Sequence, residues 1–407
     1  MGYTGEAIKG VSWMGALRVF VRGLGFIRIA ILARLLTPFQ FGVYGIAALV
    51  LAFLEIATET GINIFLIQLK DEIDKYVSTA WLISIARGFL ISVMILVSAP
   101  YIARYFGFSE SYPLFLIVSM VPLIRGFINP SIVKYQKDLL FNKEFLLRTS
   151  LYATDAIVVI VIALMTRSAA SLVCGLVISS LLEVILSFRL IKPRPRFIFD
   201  ATLAKQVLSR GKWVTGFGLF GYLYQNVDDA VVGKIMGASP LGIYQVAYKI
   251  SSLPVSEIAD VFAKVTLPVY LKFANDTVRL KRAFLKTSSI TSILMIFFGV
   301  FIFLFPKQIV LILLGSNWLS AVEVLKILVL FGVLKGITGM AESLFLAVQK
   351  QEYVTLVTFI TLSGLATTII PFVKSFGIIG AGISAVFGSI LGLLVSFYFT
   401  IKILRKD

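Results

Sequence analysis

The chain has 407 residues, of which 58% are hydrophobic and only 14% are charged, with a mean hydropathy of +0.95 and a formal net charge of +17. Because soluble domains carry charge on about a quarter of their residues, this composition excludes an ordinary soluble fold. Histidine is absent and Cys174 is the single cysteine. An internal disulfide, metal sites built from histidine and cysteine, and histidine-activated nucleophiles are therefore excluded. The sequence GxxxxGK[ST] does not occur, so a P-loop ATPase is unsupported, and we expect no cofactor.

Apolar runs of about 20 residues, the length that crosses a bilayer, follow one another almost from end to end. They predict an all-α polytopic membrane protein with about twelve transmembrane helices. The first-half spans are expected near 11–33, 42–67, 77–99, 113–133, 149–166 and 169–188. The second-half spans are expected near 213–236, 242–269, 287–305, 321–347, 353–373 and 376–401. The segment 306–320, which contains proline, glycine and asparagine, is predicted to be a loop.

A repeat links the two halves of the chain. The stretch Ala30–Tyr44 recurs as Ala230–Tyr244, shifted by 200 positions without a gap. A hydrophobic chain that repeats after half its length is typical of transporters, whose binding sites lie where the repeats meet. We expect two parallel six-helix lobes, at 1–189 and 213–407. A linker at 190–212 joins them, with a KPRPR core and a surface helix over Ala201–Arg210.

The distribution of lysine and arginine predicts the orientation. With a cytoplasmic N-terminus, most basic residues fall in cytoplasmic segments, as the positive-inside rule requires. Only six fall in external loops: Arg34, Arg104, Arg167, Lys234, Lys307 and Lys374. Both termini are therefore expected in the cytoplasm. The positive charge is interpreted as a face attracted to anionic lipid, and nucleic acid is not expected as a partner.

Charged residues inside the first predicted span are the leading candidates for a binding site. Arg18, Arg22 and Arg28 lie within it, and charge inside a span normally faces a cavity or a partner. One interpretation is a clamp for pyrophosphate, because a guanidinium binds two oxygens and keeps its charge. The alternative is a structural ion pair with an acid on another helix. The repeat aligns Arg28 with Asp228, so a breakable pair between these two is also predicted.

Two later spans each contain a pair of acidic residues on one helix face. Glu55 and Glu59 lie in the second span, and Glu257 and Asp260 lie in the eighth. Neighbouring carboxylates can hold a proton or a small cation, which makes these residues candidates for ion coupling. The alternative, which we favour, is that they neutralise nearby arginines and lysines. In the seventh span, Tyr224 and Asn226 belong to a polar stripe that precedes Asp228 and could contact sugar or bond a neighbouring helix.

Two motif regions resemble a known family. The opening RGLGFIR (Arg22–Arg28), the following Leu32–Gly45, and the second-half run Asn226–Ile250 are similar to polysaccharide repeat-unit flippases of the Wzx type. These belong to the MOP exporter superfamily, together with the lipid II flippase MurJ and the MATE exporters. The resemblance implies a V-shaped bundle of two lobes that open alternately to either side. It also implies a pyrophosphate-contacting role for Arg22 and Arg28.

The resemblance further implies translocation of undecaprenyl-pyrophosphate-linked oligosaccharide from the inner to the outer leaflet of the bacterial inner membrane, with no enzymatic activity. The partners would be this lipid, membrane lipids and, as a further candidate, a polysaccharide polymerase complex. The alternatives are a MATE-like cation-coupled exporter of small amphipathic compounds and a membrane glycosyltransferase or polymerase. The sugars, the surface polymer and the driving force stay open at this stage.

Overall fold

The computed structural model describes residues 3–69, 73–107 and 111–405, and every regular element in these ranges is helical. The chain forms two compact units, Met1–Leu223 and Tyr224–Asp407. In the first, the helices are α1 (Tyr3–Leu35), α2 (Pro38–Ala57), α3 (Ile62–Gln68), α4 (Asp74–Phe106), α5 (Tyr112–Gly126), α6 (Lys134–Lys137), α7 (Phe141–Thr166) and α8 (Ala170–Leu190), with a 3-10 turn at Pro130–Val133.

The helix α9 (Ala201–Met236) continues from the first unit into the second. The remaining helices of the second unit are α10 (Ala238–Lys272), α11 (Thr277–Leu304), α12 (Pro306–Leu313), α13 (Ala321–Ala347) and α14 (Gln351–Leu404), with a 3-10 turn at Ser316–Trp318. In the first unit α1 packs on α7, and α5 packs on α4 and α8. In the second unit α13 packs on α10, α11 and α14.

The repeat seen in the sequence reappears in the helix boundaries. The helix α2 begins at Pro38 and α10 begins at Ala238, the same offset that separates the repeated stretches. A basic residue lies in the last turn of the preceding helix in both cases, Arg34 in α1 and Lys234 in α9. A cation in the last turn is stabilised by the negative end of the helix dipole. The two repeats therefore share a helix–turn–helix unit as well as a sequence pattern.

The all-α polytopic fold class is confirmed, whereas the predicted number of spans is only partly reproduced. Among the described residues, seven helices are long and apolar enough to cross a membrane, or eight when a bent pair is counted as one span. That pair, Tyr112–Gly126 and Pro130–Lys137, is bent by 71° and replaces the single predicted span 113–133. The predicted spans near residues 353–373 and 376–401 both lie in α14. The first predicted span lies in α1, which is long enough but contains several arginines.

Three local predictions are corrected. The predicted span 42–67 is divided, because α2 ends at Ala57 and α3 starts at Ile62. The predicted loop 306–320 is largely helical: α12 starts with Pro306 in its first turn, where a missing N–H has no helical partner to lose. The predicted surface helix Ala201–Arg210 is not separate, since α9 runs without interruption to Met236.

The two halves of α14 fold back on each other. Gly377 interrupts the helix with φ 62° and ψ −141°, a conformation that glycine adopts at low cost. A Cβ on Gly388 would lie 2.5 Å from the backbone oxygen of Thr361, and one on Gly364 would lie 3.1 Å from the Cα of Gly388. Backbones this close need small residues at the crossing. The C-terminal unit therefore contains an antiparallel pair of helices held by direct backbone approach.

Candidate functional site

The three arginines of α1 differ in burial and in their contacts. Arg22 is exposed, while Arg18 and Arg28 are half-buried. The Nη1 atom of Arg28 lies 2.5 Å from the Oδ2 atom of Asp155 on α7, and the Asp155 side chain is only 9% exposed. An acid on another helix of the same unit thus balances the Arg28 charge. Direct pairing of Arg28 with Asp228, and pyrophosphate binding by the three arginines, stay predictions.

The surroundings of Asp155 hold its carboxylate in one place. The helix α8 approaches so closely that a Cβ on Gly175 would lie 2.6 Å from the Oδ1 atom of Asp155. That Oδ1 atom is buried and has no hydrogen-bond partner among the described residues. A carboxylate buried in this way is costly unless it is paired. The Arg28–Asp155 pair therefore fixes α1 against α7 at the level of the membrane span.

The two acids of the second predicted span also meet arginines, although only Glu55 lies in α2; Glu59 follows the end of that helix, so the predicted pairing on one helix face is wrong. The Oε1 atom of Glu55 lies 2.9 Å from Nη1 of Arg125 on α5, and the Oε2 atom of Glu59 lies 3.1 Å from Nη2 of Arg87 on α4. Arg125 donates a further hydrogen bond of 3.3 Å to the hydroxyl of Ser180. These contacts favour the interpretation that both acids neutralise arginines. Ion coupling by Glu55 and Glu59 stays a prediction.

In the C-terminal unit, α9 and α10 are joined by two hydrogen bonds in equivalent register. Asp228 is buried, and its Oδ2 atom accepts a bond of 2.7 Å from the hydroxyl of Tyr244. One residue further along both helices, Asp229 accepts a bond of 2.8 Å from the amide of Gln245. Asn226 is half-buried on the same helix. The hydrogen-bond donor to the Asp228 carboxylate within this unit is therefore the hydroxyl of Tyr244.

Lys335 is the centre of a cluster that the sequence analysis did not single out. Its Nζ atom lies 3.3 Å from the hydroxyl of Tyr248 and 5.4 Å from the ring centroids of both Tyr224 and Phe331. The rings of Tyr248 and Phe331 are themselves in contact, with centroids 5.6 Å apart. Cation–π contacts and a hydroxyl acceptor stabilise an ammonium away from water. The predicted residue Tyr224 therefore lies beside a cation that comes from α13.

A cavity of about 380 Å³ opens beside this cluster, within the C-terminal unit. Lys335 and Glu342 of α13 line it, together with Tyr224 and Gln225 of α9. Six hydroxyls from α10, α13 and α14 complete the polar lining: Ser252, Ser256, Thr338, Thr358, Thr361 and Ser389. A volume of about 300–1,000 Å³ is typical of small-ligand pockets. Of the residues proposed from sequence to bind substrate, only Tyr224 lines this cavity.

The remaining predicted ion-coupling residues are on α10. Glu257 is half-buried, and the side chain of Asp260 lies outside the described residues. Within the described part of the chain, no three histidine, cysteine, aspartate or glutamate side chains come together as metal ligands would. Ion coupling at Glu257 and Asp260 stays a prediction.

Sequence analysis missed the pairing of several charges for a common reason. Arg87, Arg125 and Lys335 lie within predicted spans and could be recognised as charges inside the membrane. Their partners come from other helices, however, and spacing within one helix gives no information about contacts between helices. Asp155 likewise lies within a predicted span, and its partner Arg28 comes from another helix.

A family described as polysaccharide biosynthesis proteins matches residues 31–323, well over half of the chain. The chain belongs to this family. Among its relatives, the lipopolysaccharide biosynthesis protein WzxC of Escherichia coli strain K12 is 24% identical over 344 residues, which cover 84% of this chain and 70% of WzxC. The expected resemblance to Wzx-type proteins is confirmed.

Two solved structures share the fold of this polysaccharide biosynthesis family member. The lipid II flippase MurJ in an inward closed conformation gives a TM-score of 0.79 at 18% identity, covering 96% of this chain and 88% of that one. An inward-facing multidrug resistance MATE transporter of the MOP superfamily gives 0.74 at 17% identity, covering 94% and 95%. Identities this low establish the fold alone. The expected MOP-type fold is confirmed, and the fold does not choose between a lipid and a drug as cargo.

Proposed function

We propose that this multi-pass membrane protein flips lipid-linked oligosaccharide repeat units for the synthesis of a surface polysaccharide. The carrier would be undecaprenyl pyrophosphate, and the movement would run from the inner to the outer leaflet of the bacterial inner membrane, with both protein termini in the cytoplasm. Membership of the polysaccharide biosynthesis family supports this cargo over small amphipathic drugs. The MurJ likeness supports a fold that suits such a movement.

The single observation that carries the proposal is the series of arginines on α1. Three guanidiniums on one helix that the sequence predicts to span the membrane are costly unless they serve a polar pathway or a partner. Arg22 is the exposed one of the three, while Arg18 and Arg28 are half-buried. A guanidinium matches the paired oxygens of a diphosphate and stays charged at every physiological pH. Arg22 is therefore the residue on which we place the contact with the diphosphate.

In this mechanism the protein makes and breaks no covalent bond. The diphosphate and its sugars enter a wet cavity and pair with Arg22, while the prenyl tail stays in the lipid. Alternating access then exposes the head group to the other side. The polymerase complex that extends the sugar chain would receive the product and is proposed as a partner.

The test begins with a deletion strain of the source organism that has no redundant homologue. Membrane lipids are extracted, and lipid-linked oligosaccharide is measured by mass spectrometry together with surface polysaccharide. We expect complete repeat units to accumulate in the inner leaflet, with surface polymer lost. Accumulation in the outer leaflet would indicate a polymerase defect and contradict flipping. Normal lipids and polymer with new sensitivity to amphipathic drugs would favour a MATE-like exporter.

A matched pair of variants then tests the arginine contact. Arg22→Gln should reduce export by about a hundredfold, the loss expected when a charge-assisted contact of about 2–3 kcal/mol is removed from a bound anion. Arg34→Gln, which changes an exposed arginine in the last turn of the same helix, is the control and should retain export. Equal export by both variants at equal protein levels would contradict the assignment of Arg22.

A further inference from the structure

The cavity of the C-terminal unit has opposite charges along one wall. On α13, Lys335 and Glu342 both line it, and they are separated by about 10 Å along the helix axis at 1.5 Å per residue. Lys335 offers only donors, and an ionised Glu342 offers only acceptors. A simple anion would be attracted at one end and repelled at the other, and so would a simple cation. The charge pattern therefore favours a neutral occupant that both donates and accepts hydrogen bonds.

The lining of the cavity is rich in hydroxyls, and one of them has no hydrogen-bond partner in the described part of the chain. The Oγ atom of Ser389 is buried, lines the cavity and has no hydrogen-bond partner among the described residues. Thr361, by contrast, already donates to the backbone oxygen of Val357 at 2.8 Å. A buried hydroxyl without a partner costs free energy unless a ligand or water satisfies it. Ser389 is thus a second, independent indication that something polar binds here.

The cavity exists because α13 has a glycine where a side chain would otherwise fill the space. A Cβ built on Gly339 meets no atom within 4 Å, whereas one built on Gly336 would lie 2.6 Å from a methyl group of Val255. Gly336 is therefore needed for packing, and Gly339 faces open space. The opening extends to Gln225, which is exposed at the edge of the cavity.

We propose that this cavity is a saccharide subsite that binds one neutral sugar residue of the transported head group. The inference rests on the proposed function for the identity of the cargo. Sugar hydroxyls act as donors and acceptors at once, which suits a lining that contains Lys335, Glu342 and several hydroxyls. The subsite lies wholly within the C-terminal unit, whereas Arg22, to which the diphosphate contact is assigned, belongs to the N-terminal unit.

The test measures sugar binding directly, without the lipid. The purified full chain in detergent is mixed separately with glucose, galactose and N-acetylglucosamine, and saturation-transfer NMR detects contact between protein and sugar protons. We expect at least one sugar to bind the wild type. Gly339→Phe, which fills the cavity, should weaken binding by about tenfold or more, and Ser389→Ala should weaken it about fivefold, the ratio for one hydrogen bond.

Gly216→Phe is the matched control, because a Cβ there also meets no atom within 4 Å and the residue does not line the cavity. If Gly339→Phe fails to fold, Ser389→Ala supplies the same comparison with a smaller change. Absence of binding by all three sugars, or binding that both cavity variants retain, would overturn the subsite.

Export assays in cells keep this inference separate from the proposed function. Sugar binding that depends on Gly339, in a protein whose deletion leaves lipid intermediates unchanged, would preserve the subsite and contradict flipping. Normal export by Gly339→Phe, with no sugar binding, would contradict the subsite and leave flipping intact.

Discussion

The two units of this chain hold their polar residues inside the membrane in different ways. In the N-terminal unit, arginines pair with carboxylates on other helices: Arg28 with Asp155, Arg87 with Glu59, Arg125 with Glu55 and Arg148 with Glu183. In the C-terminal unit, the hydroxyl of Tyr244 and the amide of Gln245 bond the acids of α9. The same repeat ancestry, visible in the helix boundaries, thus supports two kinds of stabilisation.

The difference indicates how each unit responds to substitution. An ion pair in a low-dielectric region depends on both charges, so removing one leaves the other unpaired. A glycine crossing depends on shape, so adding a side chain forces the backbones apart. We therefore expect charge changes to cost more stability in the N-terminal unit than in the C-terminal unit. Volume changes should cost stability at the glycine crossings of both units, such as Gly88 on α4 and Gly388 on α14.

The largest effect is expected at the buried pair. Arg28→Gln leaves the buried Asp155 carboxylate without its partner and should lower the free energy of unfolding by about 3–5 kcal/mol. Unfolding in mixed detergent micelles with increasing SDS measures the loss. Asp155→Asn should have a similar effect.

The double variant separates structure from transport. Arg28→Gln combined with Asp155→Asn removes both charges and should recover most of the stability. Loss of export in this stable double variant would assign Arg28 a role in binding the substrate, as the sequence motif suggests. A single Arg28→Gln variant with unchanged stability would refute the dependence of the N-terminal unit on this pair.

A smaller effect is expected at the glycine crossing within α14. Gly388→Leu would drive a side chain against the backbone of Thr361 and should cost about 1–3 kcal/mol, the usual range for overpacking. The same SDS titration measures it. Gly339→Leu is the control, because its side chain enters open space. Equal stability of the two variants would show that the halves of α14 can separate without cost.

The smallest effect is expected at the more exposed ion pair between Glu55 and Arg125. The side chains of Glu55 and Arg125 are 30% and 37% exposed, so water screens their attraction. Glu55→Gln should therefore cost about 1 kcal/mol or less. Measuring the free energy of unfolding of Glu55→Gln and of Arg28→Gln by the same SDS titration ranks the strengths of the two ion pairs. A loss as large as that of Arg28→Gln would mean that burial does not set the strength of ion pairs in this unit.

Much of the fold followed from the sequence. Long apolar runs predicted the helices, because a bilayer leaves few other ways to satisfy the backbone. The offset between Ala30 and Ala230 predicted matching helix boundaries at Pro38 and Ala238. The break between Ala57 and Ile62 and the bend after Gly126 were missed, because mean hydropathy does not register a break or a bend.

The candidate site followed from the sequence only in part. The arginines of α1 and the acids of the second predicted span were recognisable because charge inside an apolar span is rare. That Arg28 meets Asp155, that Glu55 meets Arg125, and that Lys335 lies over Tyr224 depends on which helices are neighbours. The cavity beside Gly339 could not be predicted from the sequence either, because an isolated glycine in a helix does not indicate whether it faces packed atoms or open space.

The sequence by itself determined that this is an all-α, multi-pass membrane protein with an internal repeat, because local apolar length and self-similarity are properties of the chain alone. Only the tertiary structure decided which charges neutralise one another and where a polar space is left open. Coulomb attraction and close packing depend on distances of a few ångströms between residues far apart in the chain. Those distances exist only once the helices have packed.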